Sequence, residues 1–186
     1  KNTLYPICRS ITGNGFRRSL RIVKNHFPQF KIKKIKSGTK VFDWNIPEEW
    51  NISDAYVIDK NGNKIINFKE NNLHLVGYSI PINKYITKKE LLKNLYFLKD
   101  QPKAIPYITT YYKKRWGFCV SFDQLNKIQK EYSNKDIFKV VINSNFKKKG
   151  FLNYGELILK GESKEEILIS TYLCHPSMAN NELSGP

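Results

Sequence analysis

The sequence predicts an α/β protein, and three local signals carry that expectation. Phe16, Leu20, Val23 and Phe27 recur at helical spacing between the turn-forming run Thr12-Gly13-Asn14-Gly15 and Pro28. Two strand-like stretches, 55–58 and 64–68, flank an Asn61-Gly62 pair, and Asn-Gly takes the positive φ angles that tight β-hairpin turns require. A largely apolar run at 167–173 leads to His175. Runs of that length bounded by turn residues suit a strand buried on both faces within a helix-flanked sheet.

The remaining elements follow in chain order. The first helix turns Arg17, Arg18, Arg21 and Lys24 away from its apolar face, which reads as a solvated basic surface. Residues 30–44 alternate loosely and suggest one or two strands; Pro47 then marks a change of direction before Trp50. A strand is expected at 73–78, with His74 facing solvent, and His26 is expected on the surface near a helix carboxyl end. Thr87 caps a helix running through Leu91, Leu92, Leu95 and Leu98, and Glu90 stands three residues on, where a capping box needs it. Residues 102–120 are dense in aromatics and suggest a packed strand pair around Gly117. Tyr107, Tyr111, Tyr112, Trp116 and Phe118 read as the core of a β domain with a basic turn at 113–115, in preference to a sugar- or base-stacking platform. Ser121 opens a second short helix with Phe122, Leu125 and Ile128 on one face. Three successive strands are then expected at 135–143, 150–160 and 166–173.

Composition narrows the class. An apolar fraction of 40% with 25 aromatic residues describes a globular chain. Its apolar runs are too short to cross a membrane, and no secretory n-region and h-region opens it, so a cytoplasmic location is expected. Three widely spaced cysteines in apolar surroundings, Cys8, Cys119 and Cys174, read as reduced buried thiols. The net charge of +16 is uneven, with eleven Lys or Arg and no acidic residue in the first forty positions. Because the lysines are scattered among asparagines and isoleucines, they read as solvated decoration and not as a nucleic-acid site.

The chemistry is concentrated at the end. Polar residues just past the carboxyl end of a buried strand lie where open α/β sheets place ligands. A histidine there, with a carboxylate or amide a few residues on, can make half of a metal site. His175, Asn181 and Glu182 are the candidate metal ligands.

Four ordered motifs carry a resemblance. They are Phe42-Asp43-Trp44-x-x-Pro47-x-Glu49-Trp50, Tyr107-x-Thr109-x-Tyr111-Tyr112-x-x-x-Trp116-Gly117-Phe118-Cys119, Tyr154-Gly155-Glu156 and Cys174-His175-Pro176-Ser177. Together they resemble bacterial proteins with an aminopeptidase-like domain, known from polysaccharide biosynthesis loci, within the co-catalytic zinc aminopeptidase superfamily. The resemblance implies part of a zinc-exopeptidase-like mixed sheet flanked by helices, with an inserted small β-rich domain. It places residues 1–43 and 134–186 in the aminopeptidase-like domain and 44–133 in the insertion, and implies that the chain is the amino-terminal portion of a longer protein. It further implies two zincs that activate a shared water. His175 matches the first ligand, Asn181 holds the place of the bridging aspartate, and Glu182 can substitute from the next position. Ser177 stands where the superfamily usually has an aspartate that orients the ligand histidine.

The resulting expectation is a zinc-dependent, metal-assisted amide hydrolase or a derived activity, inactive in this portion, with zinc held only in the complete protein. A small peptide-like or amidated-sugar substrate is expected, no membrane or nucleic-acid partner, and an oligomer is left open. The rival is a non-catalytic glycan- or protein-binding module whose metal site has decayed.

Overall fold

Residues 3–177 are described in a computed structural model of the chain. They divide into two compact units, one made of residues up to Asn51 and from Phe146 on, the other Ile52–Asn145. The sequence places the middle domain at 44–133.

In the first unit, helix α1 (Asn14–His26) starts at Gly13, whose φ of 95° is left-handed. A Cβ on Gly13 would meet the Trp50 carbonyl oxygen at 2.2 Å, so both backbone angle and space require glycine there. The apolar stripe of α1 buries Phe16 and Leu20 against Leu173, with Val23, Phe30, Ile32 and Cys174 packed around them. Strand β1 (Lys31–Lys36) pairs antiparallel with β10 (Phe151–Glu156) in register Lys31↔Glu156 to Lys36↔Phe151. Between them in sequence, β2 (Lys40–Val41) and β3 (Trp44–Asn45) form a short hairpin.

The second unit is built on a four-stranded sheet in the order β5-β4-β9-β6, where β4 is Glu49–Ile58, β5 Lys64–Asn67, β6 Ile82–Thr87 and β9 Ile137–Lys147. The unit boundaries fall within β4 and β9. The Asn-Gly hairpin forms where the sequence places it, with Gly62 at φ 86° and Val57 opposite Ile66. Helix α3 (Phe122–Glu131) carries a complete capping box: Ser121 accepts from Gln124 N–H, and the Gln124 side chain accepts from Ser121 N–H. Most of the buried apolar side chains belong to this unit, among them Ala55, Val57, Ile66, Val76, Leu91, Phe118, Val120, Phe138 and Val140.

Several elements depart from expectation, each for a local physical reason. The helix capped by Thr87 is only α2 (Lys88–Leu92). Its continuation is diverted because Leu95–Tyr96 (β7) pairs in parallel with Phe118–Cys119 (β8), and a tertiary ladder outweighs helix propensity over so short a segment. Only half of the Thr87 box forms, because the Glu90 carboxylate pairs with Lys84. Apart from β8, residues 102–120 contain no strand; their aromatics still fill a core, with Phe118 fully buried and Tyr111 edge-on to Tyr78 at 5.0 Å. Instead of a strand at 73–78 there is a 3-10 turn, Asn72–His74, capped by Asn71, and Tyr78 takes φ 65°, which breaks extended backbone. Consequently His74 does not face solvent; it is 4% exposed.

The largest departure is at 166–173. No strand forms there, and Ile167, Leu168 and Ile169 are each at least 86% exposed. A strand buried on both faces needs a partner for its peptide groups and a cover for each side chain row. Among the described residues α1 covers only Leu173 and Cys174. Cys174 is therefore half-buried against a helix and not on a buried strand.

Candidate functional site

The segment carrying His175 is fixed from two directions. Leu173 and Cys174 rest on α1 beside Phe16 and Leu20. Arg9, only 2% exposed, donates from its guanidinium to the His175 carbonyl at 2.7 Å and also to the carbonyls of Leu4 and Ile7. A buried guanidinium shared among backbone carbonyls holds a loop firmly, since each bond is charge-assisted. The Tyr172 ring lies edge-on to the His175 imidazole with centroids 5.3 Å apart. Ser177 turns the chain with a left-handed φ of 50° directly after Pro176.

Asn181 and Glu182 lie outside the described residues. Among the described residues no three His, Cys, Asp or Glu side chains are grouped to hold a metal ion. Zinc sites use three or four protein ligands, and the described residues bring one imidazole to this point, so by themselves they do not fit a zinc shell.

A second cluster, within the first unit, was not legible as a site. Glu49 is 2% exposed, and its carboxylate accepts two bonds from Arg17 at 2.8 and 2.9 Å, one from Asn51 Nδ2 at 3.1 Å and one from Phe151 N–H at 3.1 Å. Arg17 continues to Asn153 Oδ1 at 3.3 Å and to the Asn14 side chain. Arg17 thus belongs to a buried network and not to the solvated face expected of α1. Hydrogen bonding from Arg17, opposed by burial and aided by Asn51 and Phe151, holds the Glu49 carboxyl down at about 2. A carboxylate with four donors has no capacity left for proton transfer near neutral pH, and the cluster is a structural tie between α1, β4 and β10.

The second unit offers a shallow cleft of about 390 Å³ between the β4–β5 hairpin and α3, lined in part by Asp59, Lys64, Lys127 and Tyr132. Asp59 is already occupied: it accepts from the backbone N–H groups of Asn61 and Asn63, from Asn63 Nδ2, and from the Tyr132 hydroxyl at 2.9 Å. Lys88, also in this unit and 6% exposed, caps the end of α3 by donating to the carbonyls of Gln129 and Tyr132.

Two of the cysteines, Cys8 and Cys119, are inert. Burial pushes the Cys8 and Cys119 thiols up to about 12, out of reach of thiolate chemistry at neutral pH. His74 is held as a neutral ring, its Nδ1–H donating to the Cys119 carbonyl at 2.7 Å. Burial lowers its pKa, opposed by that bond and by Glu70. A histidine depressed in the fold contributes stability that is complete above its unfolded value of about 6.5 and is lost as pH falls below it. Urea unfolding between pH 8 and 5 should therefore show declining stability below about pH 6.5, with a slope of at most about 1.4 kcal/mol per pH unit from this group. A His74→Gln variant should flatten that slope; an unchanged slope would contradict the assignment.

A family model described as a domain of unknown function (DUF4910) matches residues 1–186. A Clostridium acetobutylicum protein named "Putative polysaccharide biosynthesis protein with aminopeptidase-like domain" is 49% identical over 182 residues, covering 98% of this chain. A crystal structure titled as a "putative peptidase" from the same organism superposes with a TM-score of 0.91 at 49% identity and covers 99% of this chain. The chain spans 40% of the length of the first relative and 42% of the solved chain.

Proposed function

We propose that this chain, which belongs to the DUF4910 family, is part of a peptidase-like protein in which His175 is the first zinc ligand. The observation that carries the reading is the anchoring of His175. Its backbone is held by a buried arginine and the two residues before it are packed on α1, which is the positioning a metal ligand needs. The names of the relatives support the peptidase-like part of this reading.

In the whole protein, the exposed run at 167–169 becomes a sheet strand with cover on both faces, in a zinc-exopeptidase-like mixed sheet. Asn181 and Glu182 then compete for the second ligand position; an ionised carboxylate suits a dication better than a neutral amide, which favours Glu182. When bound, zinc supplies an activated water and a polarised carbonyl. The proposed substrate is a small peptide-like molecule or an amidated sugar.

The test is hydrolysis of a panel of aminoacyl p-nitroanilides by the full-length protein. Activity should disappear with a chelator, return with zinc, and fall at least about a hundredfold in His175→Ala. Hydrolysis indifferent to both chelator and substitution would sink the reading.

A further inference from the structure

Phe42 stands at the tip of the β2–β3 hairpin. Val41↔Trp44 is the last pair, so Phe42 and Asp43 are the two turn residues. Phe42 takes φ 53°, a left-handed angle that a two-residue hairpin turn normally gives to glycine, and it is 93% exposed. A bulky residue in this conformation carries strain, and here no burial offsets it. Strain of this kind, kept at an exposed position, points to a contact outside the fold.

The surroundings are cationic. Lys36 pairs with Phe151, and Ser37 N–H donates to the Gly150 carbonyl at 3.0 Å, so Lys147 at the end of β9 and the turn holding Lys148 and Lys149 lie close to residues 36 and 37. Lys36, Lys40, Lys147, Lys148 and Lys149 are all exposed. Two carboxylates are close in sequence to the tip, Asp43 in the turn itself and half-buried Glu48, while Glu49 is bound by Arg17 and lies 3.9 Å from Lys147. The end of this unit therefore presents one protruding aromatic ring within a lysine-rich surface.

We infer that this end of the first unit docks on an anionic lipid surface, with Phe42 entering the boundary between headgroups and acyl chains and the lysines holding acidic headgroups. An apolar ring flanked by lysines matches the layering of such a surface, where apolar insertion and headgroup attraction reinforce each other. A single-stranded nucleic acid fits less well, because binding by stacking uses several aromatic platforms along a groove and one ring provides a single site. Docking of this kind needs no spanning segment, and no helix among the described residues is long and apolar enough to cross a membrane.

The experiment is sedimentation of the 186-residue chain, and of the full-length protein, with vesicles of phosphatidylcholine alone or with one quarter phosphatidylglycerol. Binding is expected only with phosphatidylglycerol, weaker at high salt, and reduced about tenfold by Phe42→Gly or by Lys148→Glu with Lys149→Glu. Phe42→Gly should leave thermal stability unchanged or raise it, since glycine adopts the turn angle without strain. Phe42→Trp should shift its fluorescence to the blue on binding and be quenched by brominated lipid. The proposal is overturned if neither protein binds anionic vesicles, if only the shorter chain binds, or if Phe42→Gly binds equally well, as it would were the exposed run at 167–169 responsible. Tighter binding to single-stranded RNA than to vesicles, unaffected by Phe42→Gly, also overturns it.

Discussion

Replacing Glu49 by alanine lowers the unfolding free energy of the chain by about 3–5 kcal/mol, the cost of breaking a buried ion pair from one side. The loss has two parts. Arg17, 20% exposed along its side chain, is left without its carboxylate, and the Phe151 N–H and Asn51 amide lose an acceptor in a buried setting. Gly150 makes the site unforgiving, because it lies so close that a Cβ on it would come within 2.2 Å of the Glu49 Cβ. Glu49→Gln should cost less, since the amide keeps an acceptor oxygen. The same network sets a pH dependence: a carboxyl held at about 2 contributes stability that is present above the ordinary glutamate range and is lost as pH falls toward 2. Urea denaturation of both variants checks the first expectation, and a loss below about 1 kcal/mol in Glu49→Ala would show that the tie is dispensable.

Phe118→Ala should be comparably severe, at about 3–5 kcal/mol, through the lost transfer energy of the ring and the cavity it leaves. Phe118 has no exposed surface, meets Trp116 edge-on at 6.5 Å, lies opposite Leu95 in the β7–β8 pair and bridges to Leu75. Two other segments thus pair with the backbone at this position. Phe118→Leu should recover more than half of the loss because it restores most of the volume. Equal stability of wild type and Phe118→Ala in chemical denaturation would mean that the aromatic segment is not the core of its unit.

These two positions also show how far the sequence can be read. Helix α1, the Asn61-Gly62 hairpin and the Ser121 cap were legible because each is specified by residues within a few positions of one another. The Arg17–Glu49 pair spans 32 positions and Lys88 reaches carbonyls 41 and 44 positions away, and no local pattern reports such partners. The short helix α2 and the parallel β7–β8 pair were missed for the same reason: leucine spacing at 91–98 fits a helix, but the ladder to Phe118–Cys119 decides the outcome. At 166–173 the apolar pattern describes a buried strand, while the described residues lack the partners that would bury it.

His175 is a candidate on its motif alone, whereas its anchorage by Arg9 has no local signal, since 166 positions separate them. An early arginine between Cys8 and Ser10 reads equally well as a surface charge.

Calorimetric titration with zinc tests the central claim most directly, using the full-length protein and the 186-residue chain, each with and without His175→Ala. Tight binding is predicted for the full-length protein, weakened at least about a hundredfold by His175→Ala, and weak or no binding for the 186-residue chain. Tight binding to the full-length protein that ignores His175, or tight His175-dependent binding to the 186-residue chain, would contradict the account.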